Sequence, residues 1–407
     1  MKNNNVYTYK AKCGLDVTFI RKPGFTTKYA SIGTKYGSCI REFIDDGKLI
    51  KTKSGLAHFL EHKLFRMPDG SDALESFTEL HASANAFTKS EKTVYYFVTI
   101  NEFYEPLRLL LNMYFTPAFE DSDIEREKPI IISEANETYD NIDNQEYYQE
   151  LESLYPGDYL SVPVIGTIED IKSTTKEDLY EVYNAFYTPS NSKLLILADE
   201  EPDKIFEEVE NTLSKLTFSN KQVEVISNVK SNDVLPPREF KTYPEAIHIL
   251  GRIDGLTYND IDSVDAISTI FKSLFTHLSP FYKKLVDEEL ILNEDLDYTV
   301  QSNRFSFLYS VDFYSDKPDI VIPMIIEKIK NLEYSDLNPK VLEIAKKKIK
   351  ARQVLLLDQV GKLGYNFMDI YLEDQGYNDL FTDINEDILK RYLPMLNDSK
   401  ITYIISK

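Results

Sequence analysis

His58-Phe59-Leu60-Glu61-His62 constrains this chain more than any other stretch. Two imidazoles four residues apart can meet one metal ion if the segment is helical, because positions i and i+4 then share a face. Glu61, three residues after His58, projects from nearly the same face. Paired histidines with an adjacent carboxylate are the donors and the base of a zinc hydrolase, here in the order H-x-x-E-H. The chain has five histidines in 407 residues. A chance match is therefore expected on the order of 0.005 times per chain.

The flanking sequence supplies the helix. Ser54 is placed to cap a helix running to about Arg66, and Pro68-Asp69-Gly70 stops it. Upstream, residues 6–10, 15–21 and 27–37 alternate with period two and are divided by Cys13-Gly14 and Lys22-Pro23-Gly24, which reads as antiparallel strands. Downstream come a short helix near 72–80, a hairpin-like pair at 81–88 and 93–100, and an amphipathic helix over 103–114. Ser122-x-x-Glu125 then opens a further helix as a capping box.

The chain repeats itself. EDLYEVYNAFYTPSNSKLLIL (177–197) and EDILKRYLPMLNDSKITYII (386–405) both run from Glu-Asp through a tyrosine-bearing helix and a turn to Ser-Lys and an apolar strand. Each stands at the end of one half, which favours duplication. Residues 221–239, rich in Ser, Asn and Asp and holding Pro236-Pro237, have linker composition. Three segments are thereby expected: 1–220 with the metal motif, the linker 221–239, and 240–407 without a metal site. The second half runs strand 247–253, helix 261–276, strands around Tyr298 and over 305–314, then helices from Ile320 and Val341.

Composition narrows the partners. A net charge of −21 argues against nucleic acid, which requires a basic surface, and permits steering of a cationic peptide. No apolar run approaches the length of a membrane span. The polar stretch 1–10 has no signal-peptide core, and Cys13 and Cys39 make no disulfide framework, so a cytoplasmic location is expected.

Two histidines leave a zinc site one protein ligand short. Glu134 is the best candidate. Glu127 precedes it by seven residues, so on a helix the two share a face, and one can ligate while the other orients a ligand. Glu137, three residues beyond Glu134, is the rival ligand.

GLAHFLEHKLF (55–65), SANAFT (83–88) and EREKPIIISE (125–134), extended by IGTIEDI (165–171) and YTPSNSKLLIL (187–197), resemble the pitrilysin/insulinase metallopeptidase family. The match is nearer to its bacterial single-repeat-length members and to the mitochondrial processing peptidase β subunit. It is specific over about residues 50–200 and architectural beyond. The resemblance implies an α+β fold of two homologous domains, each a mainly antiparallel sheet flanked by helices. It implies Zn2+ held by His58, His62 and Glu134, with Glu61 as general base and Glu127 in support. Asn85 falls on the family's N-A-x-T strand, beside which a substrate lies as an added strand. A zinc endopeptidase for short or unfolded peptides follows, as a homodimer or a heterodimer with a related subunit. The alternatives are a subunit of a dimeric peptidase that needs a partner for activity, and a non-catalytic interaction subunit, as some relatives have become.

Two positions depart from the family. Pro129 lies inside the helix of the third ligand, where it is expected to remove a hydrogen bond and kink the helix near Glu125. Relatives often place an Arg and a Tyr of the second domain near the scissile bond. Pro280 stands where that Arg would align, and Tyr298 is the candidate Tyr.

Overall fold

The computed structural model describes residues 5–226, 232–240, 246–292 and 296–406. Part of the expected linker, residues 227–231, lies outside them. The fold is α+β, with antiparallel-rich sheets flanked by helices. The strands are β1 (Val6–Lys10), β2 (Asp16–Arg21), β3 (Lys28–Thr34), β4 (Glu42–Asp45), β5 (Lys48–Lys51), β6 (Ala82–Thr88) and β7 (Thr93–Thr99). They continue as β8 (Ser192–Ala198), β9 (Glu224–Val225), β10 (Arg238–Phe240), β11 (Ala246–Arg252), β12 (Leu296–Ser302), β13 (Phe307–Phe313) and β14 (Lys400–Ser406).

One sheet has the order β1-β2-β8-β3-β7-β6 and another β10-β14-β11-β13-β12. Their inner order is the same. β8 pairs parallel to β2 and antiparallel to β3, and β14 pairs parallel to β10 and antiparallel to β11. The two repeated sequence segments therefore end in equivalent strands, β8 and β14. Each follows a helix, Lys176–Phe186 or Glu386–Asn397. All seven residues of β8 are buried, as expected of a central strand covered on both faces. β6 and β12 end their sheets and alternate partly exposed residues. A small third sheet joins β5, β4 and β9.

The residues group into two compact units that interleave along the chain. One holds Met1–Thr138, Val162–Asn228 and Leu356–Asn378, the other Tyr139–Ser161, Val229–Leu355 and Asp379–Lys407. A single boundary near 221–239 describes the order of the two halves but not these two exchanges. Long-range packing makes them, and periodicity does not record it. In the first unit, helix Val360–Tyr371 crosses β3 closely: a Cβ on Gly364 would fall 2.4 Å from the Tyr29 ring. In the second, Ile249, Phe271, Tyr309, Ile325 and Leu389 are fully buried at the centre of one apolar core.

In chain order the first helices are α1 (Leu56–Leu64), α2 (Ala73–Glu79), α3 (Tyr104–Phe115), α4 (Asp121–Asp140) and α5 (Ile142–Leu154), of which α1 and α4 carry the candidate metal ligands. α1 buries Leu56, Ala57, Phe59, Leu60, Lys63 and Leu64, and leaves His58, Glu61 and His62 on its less covered side. Burying each large apolar side chain contributes roughly 1.5–3 kcal/mol, so the core face dictates which way the motif points. Ser54 does not cap α1. The N-cap is Gly55, at φ 78°, and the Ser54 hydroxyl bonds the Asp170 carboxylate and accepts from the Thr167 backbone N–H at 3.0 Å. Gly55 is required because the backbone at Ile165–Gly166 lies against it: a Cβ on Gly166 would fall 2.6 Å from the Gly55 Cα. α4 begins at Asp121, so Ser122 lies inside it rather than capping it, and the helix continues through Pro129. Pro280 occupies the first turn of helix Pro280–Asp287, a position that needs no N–H, after an N-cap at Ser279. No described helix is long and apolar enough to cross a membrane.

Candidate metal centre

The helical turn separating His58 from His62 puts their ring centroids 4.7 Å apart. The ε nitrogens of both rings face one carboxylate from α4. His58 Nε2 lies 3.5 Å from Glu134 Oε1, and His62 Nε2 lies 3.5 Å from Glu134 Oε2. Zinc bonds to N and O donors are near 2.0–2.2 Å, which places neighbouring tetrahedral ligand atoms about 3.4 Å apart. The three side chains thus present an N, N, O donor set at the spacing such an ion requires. His58 Nδ1 is buried without a hydrogen-bond partner. Glu137 is exposed on α4 and is not among the converging groups.

Behind the ligands, Glu127 joins α4 to α1. Its Oε1 is 3.1 Å from His62 Nδ1, and its Oε2 accepts from Lys63 Nζ at 3.2 Å. The Lys63 side chain is only 6% exposed, so this is a buried charge with a defined partner. The hydrogen bond to His62 holds the Glu127 carboxyl below its usual range against the effect of burial, with Lys63 assisting. Burial works against the His62 imidazolium, but the Glu127 bond and the charges of Glu61, Glu127 and Glu134 raise it overall. The Glu134 carboxyl is lowered chiefly by His58. The surplus of negative charge suits a divalent cation.

Glu61 is positioned from the sheet. Thr88 Oγ1, at the end of β6, donates to Glu61 Oε2 at 2.5 Å. Sequence reasoning passed over Thr88 and Lys63, although both lie inside the quoted motifs. Thr88 could have been found from the parity of SANAFT, since alternate residues of one strand share a face. Asn85 has the opposite parity. It is exposed on β6, and its Oδ1 accepts from the Ala86 backbone N–H at 2.8 Å. Among the described residues its strand ends the first sheet, with no strand paired on its outer side. Tyr298 stands on β12 in the other unit, with its ring 5.7 Å from Phe271 and 6.4 Å from Phe275. Burial and Asp297 push its hydroxyl up to about 12.

Comparison with known proteins gives two family matches, "Insulinase (Peptidase family M16)" over residues 36–166 and "Peptidase M16 inactive domain" over 173–349. The zinc protease YmfH of Bacillus subtilis, described as uncharacterized, is 36% identical over 236 residues, 58% of this chain and 55% of the relative. The mitochondrial-processing peptidase subunit beta of Dictyostelium discoideum is 26% identical over 200 residues, 47% of this chain and 43% of the relative. The chain thus spans about half the length of these curated relatives. A crystal structure of an M16-like peptidase from Alicyclobacillus acidocaldarius superposes with a TM-score of 0.84 at 25% identity, covering 99% of this chain and 98% of that one. Pitrilysin, at 15% identity and a TM-score of 0.73, matches over 100% of this chain and 45% of its own, and shows the fold alone.

Proposed function

This chain belongs to the insulinase (M16) peptidase family, and from that premise we propose that it is a zinc-dependent endopeptidase cutting short or unfolded peptides. The observation that carries this reading is the convergence of His58 Nε2 and His62 Nε2 on the Glu134 carboxylate, beside a Glu61 held by Thr88. His58, His62 and Glu134 would hold the ion. Bound there, zinc would supply Lewis acidity and lower the pKa of water toward neutrality. Glu61 takes a proton from the attacking water and returns it to the leaving amine. Glu127 fixes the orientation of His62 through Nδ1, and Lys63 balances its charge.

The open edge of β6 supports the reading that a peptide pairs there as an added strand, with Asn85 along it. Main-chain pairing tolerates many sequences, and a net charge of −21 favours cationic ones. Residues 1–220 form the catalytic domain in this reading and 240–407 its homologue, and Tyr298 is a candidate substrate-binding residue. Cys13 and Cys39 are not joined in a disulfide, in keeping with a cytoplasmic setting. A homodimer, or a heterodimer with a related subunit, completes the proposal.

The test is incubation of the purified protein with a mixed peptide library, with and without chelator, reading cut sites by mass spectrometry. Chelator-sensitive cleavage that Glu61→Gln abolishes is expected. Metal-loaded protein that cuts nothing removes the proposal and leaves an interaction subunit. Light scattering then distinguishes a homodimer from a chain awaiting a different subunit.

A further inference from the structure

A second cluster of metal-ligating side chains lies in the other unit, and nothing in the first site involves it. His248 on β11 stands directly across from Asp312 on β13 in the sheet register. Cross-strand neighbours share a face, so both side chains project to the same side. Glu150, from α5, meets them there; α5 packs against β11 and β14. His248 Nδ1 is 2.9 Å from Asp312 Oδ1 and 3.4 Å from Glu150 Oε1. One donor atom from each of the three residues lies within 4.8 Å of the others. The 3.4 Å separation is close to the donor spacing of the first centre, and the 2.9 Å one is a hydrogen bond between two groups that can both turn to an ion.

The surroundings favour a cation of higher charge than an imidazolium. His248 is only 9% exposed, and its Nε2 is buried without a hydrogen-bond partner. The charged groups acting on Glu150 are Asp312, His248 and Glu146, so two acidic neighbours face it with no lysine or arginine among them. Buried carboxylates need compensation, and one imidazolium offsets a single negative charge. Asp312 Oδ2 accepts from Ser310 Oγ at 2.7 Å, a bond that orients the carboxylate as outer partners do for metal ligands. One imidazole with two carboxylates on rigid elements is a donor set for zinc or a similar divalent ion.

We propose that His248, Asp312 and Glu150 form a second divalent-metal site, in a half that lacks H-x-x-E-H, where the ion clamps α5 onto the sheet of β11 and β13. The site is independent of the peptidase reading and stands whether or not the first centre is catalytic.

The experiment counts zinc per chain by mass spectrometry, in full-length protein equilibrated with zinc and freed of excess. Wild type is expected to hold about two equivalents. His58→Ala/His62→Ala should hold about one, and adding Asp312→Asn with Glu150→Gln should remove it. These two replacements keep side-chain volume and so preserve the fold, whereas His248→Ala removes a buried ring from the sheet. Added zinc should raise the melting temperature of the His58→Ala/His62→Ala protein and leave the quadruple variant unmoved. One equivalent in wild type and none in His58→Ala/His62→Ala overturns the proposal and reduces the cluster to a buried ion pair.

Discussion

Thr88 Oγ1 donates a 2.5 Å hydrogen bond to Glu61 Oε2, so the edge strand β6 fixes the carboxylate that α1 presents. One residue therefore sits both on the strand proposed to receive a peptide and on the proposed base. Thr88→Val should lower kcat about tenfold with KM little changed, since a misplaced base loses orientation rather than binding. Thr88→Ser should restore it. Glu61→Gln should retain zinc and lose about 10²–10⁴-fold in kcat. Metal content and steady-state kinetics on one peptide check all three. Full turnover in Glu61→Gln would exclude Glu61 as the base.

Glu134 and Glu137 occupy one helix, but only Glu134 faces the histidines. Glu134→Gln should abolish stable zinc binding, and Glu137→Gln should leave it intact. Competition with a fluorescent chelator measures both. Equal affinities in the two variants would contradict the assignment.

Glu127→Gln leaves Lys63 buried with a neutral partner and weakens the hold on His62. Zinc affinity should fall about 10–100-fold. Glu127→Ala should also lower the melting temperature in the absence of metal, because breaking a buried pair is destabilising.

The acid limb of stability should depend on Glu91. This buried carboxylate is 3.1 Å from the Lys92 ammonium and accepts from Ser90 Oγ at 2.7 Å. Burial opposes its ionisation, yet Lys92, Ser90 and Lys89 hold the carboxyl below its usual range. A lowered folded value means that the contribution is fully present above the unfolded value of about 4.3 and is lost as pH falls through the folded one. Glu91→Gln should therefore cost about 3 kcal/mol at pH 7, and the difference from wild type should shrink below about pH 4. Urea unfolding across pH 3–7 checks it. A difference independent of pH would refute the ionic account.

Gly166→Ala should destabilise the first unit by at least about 2 kcal/mol, because it combines a left-handed backbone with overlap against Gly55. Gly166 has φ 82°. Thermal unfolding should show the loss, and zinc affinity should drop with it, since Gly55 starts the ligand helix.

Local chemistry was the readable part of this chain. The i, i+4 spacing of His58 and His62 gives a shared face once the segment is helical, and the alternation of residues 6–10, 15–21 and 27–37 marks β1, β2 and β3. Distance along the chain set the limit. Ser54 carried the composition of a cap, but the approach of Ile165–Gly166 leaves that place to Gly55. Lys63 reads as a surface lysine until Glu127 arrives from α4. The Glu150–His248–Asp312 cluster has no sequence spacing of its own, because a strand register and a helix packing bring it together. Tyr298 sits among Phe271 and Phe275, a setting that its sequence neighbours do not announce.

The interleaving of the two units bears on the order of synthesis. Helix Val360–Tyr371 packs on β3 and β8 of the first sheet, yet it is made after every strand of the second sheet except β14. On the ribosome, the apolar surface around Tyr29 and Gly33 waits uncovered while most of the other unit emerges. The ligand helix α1 thus belongs to a unit that cannot close early.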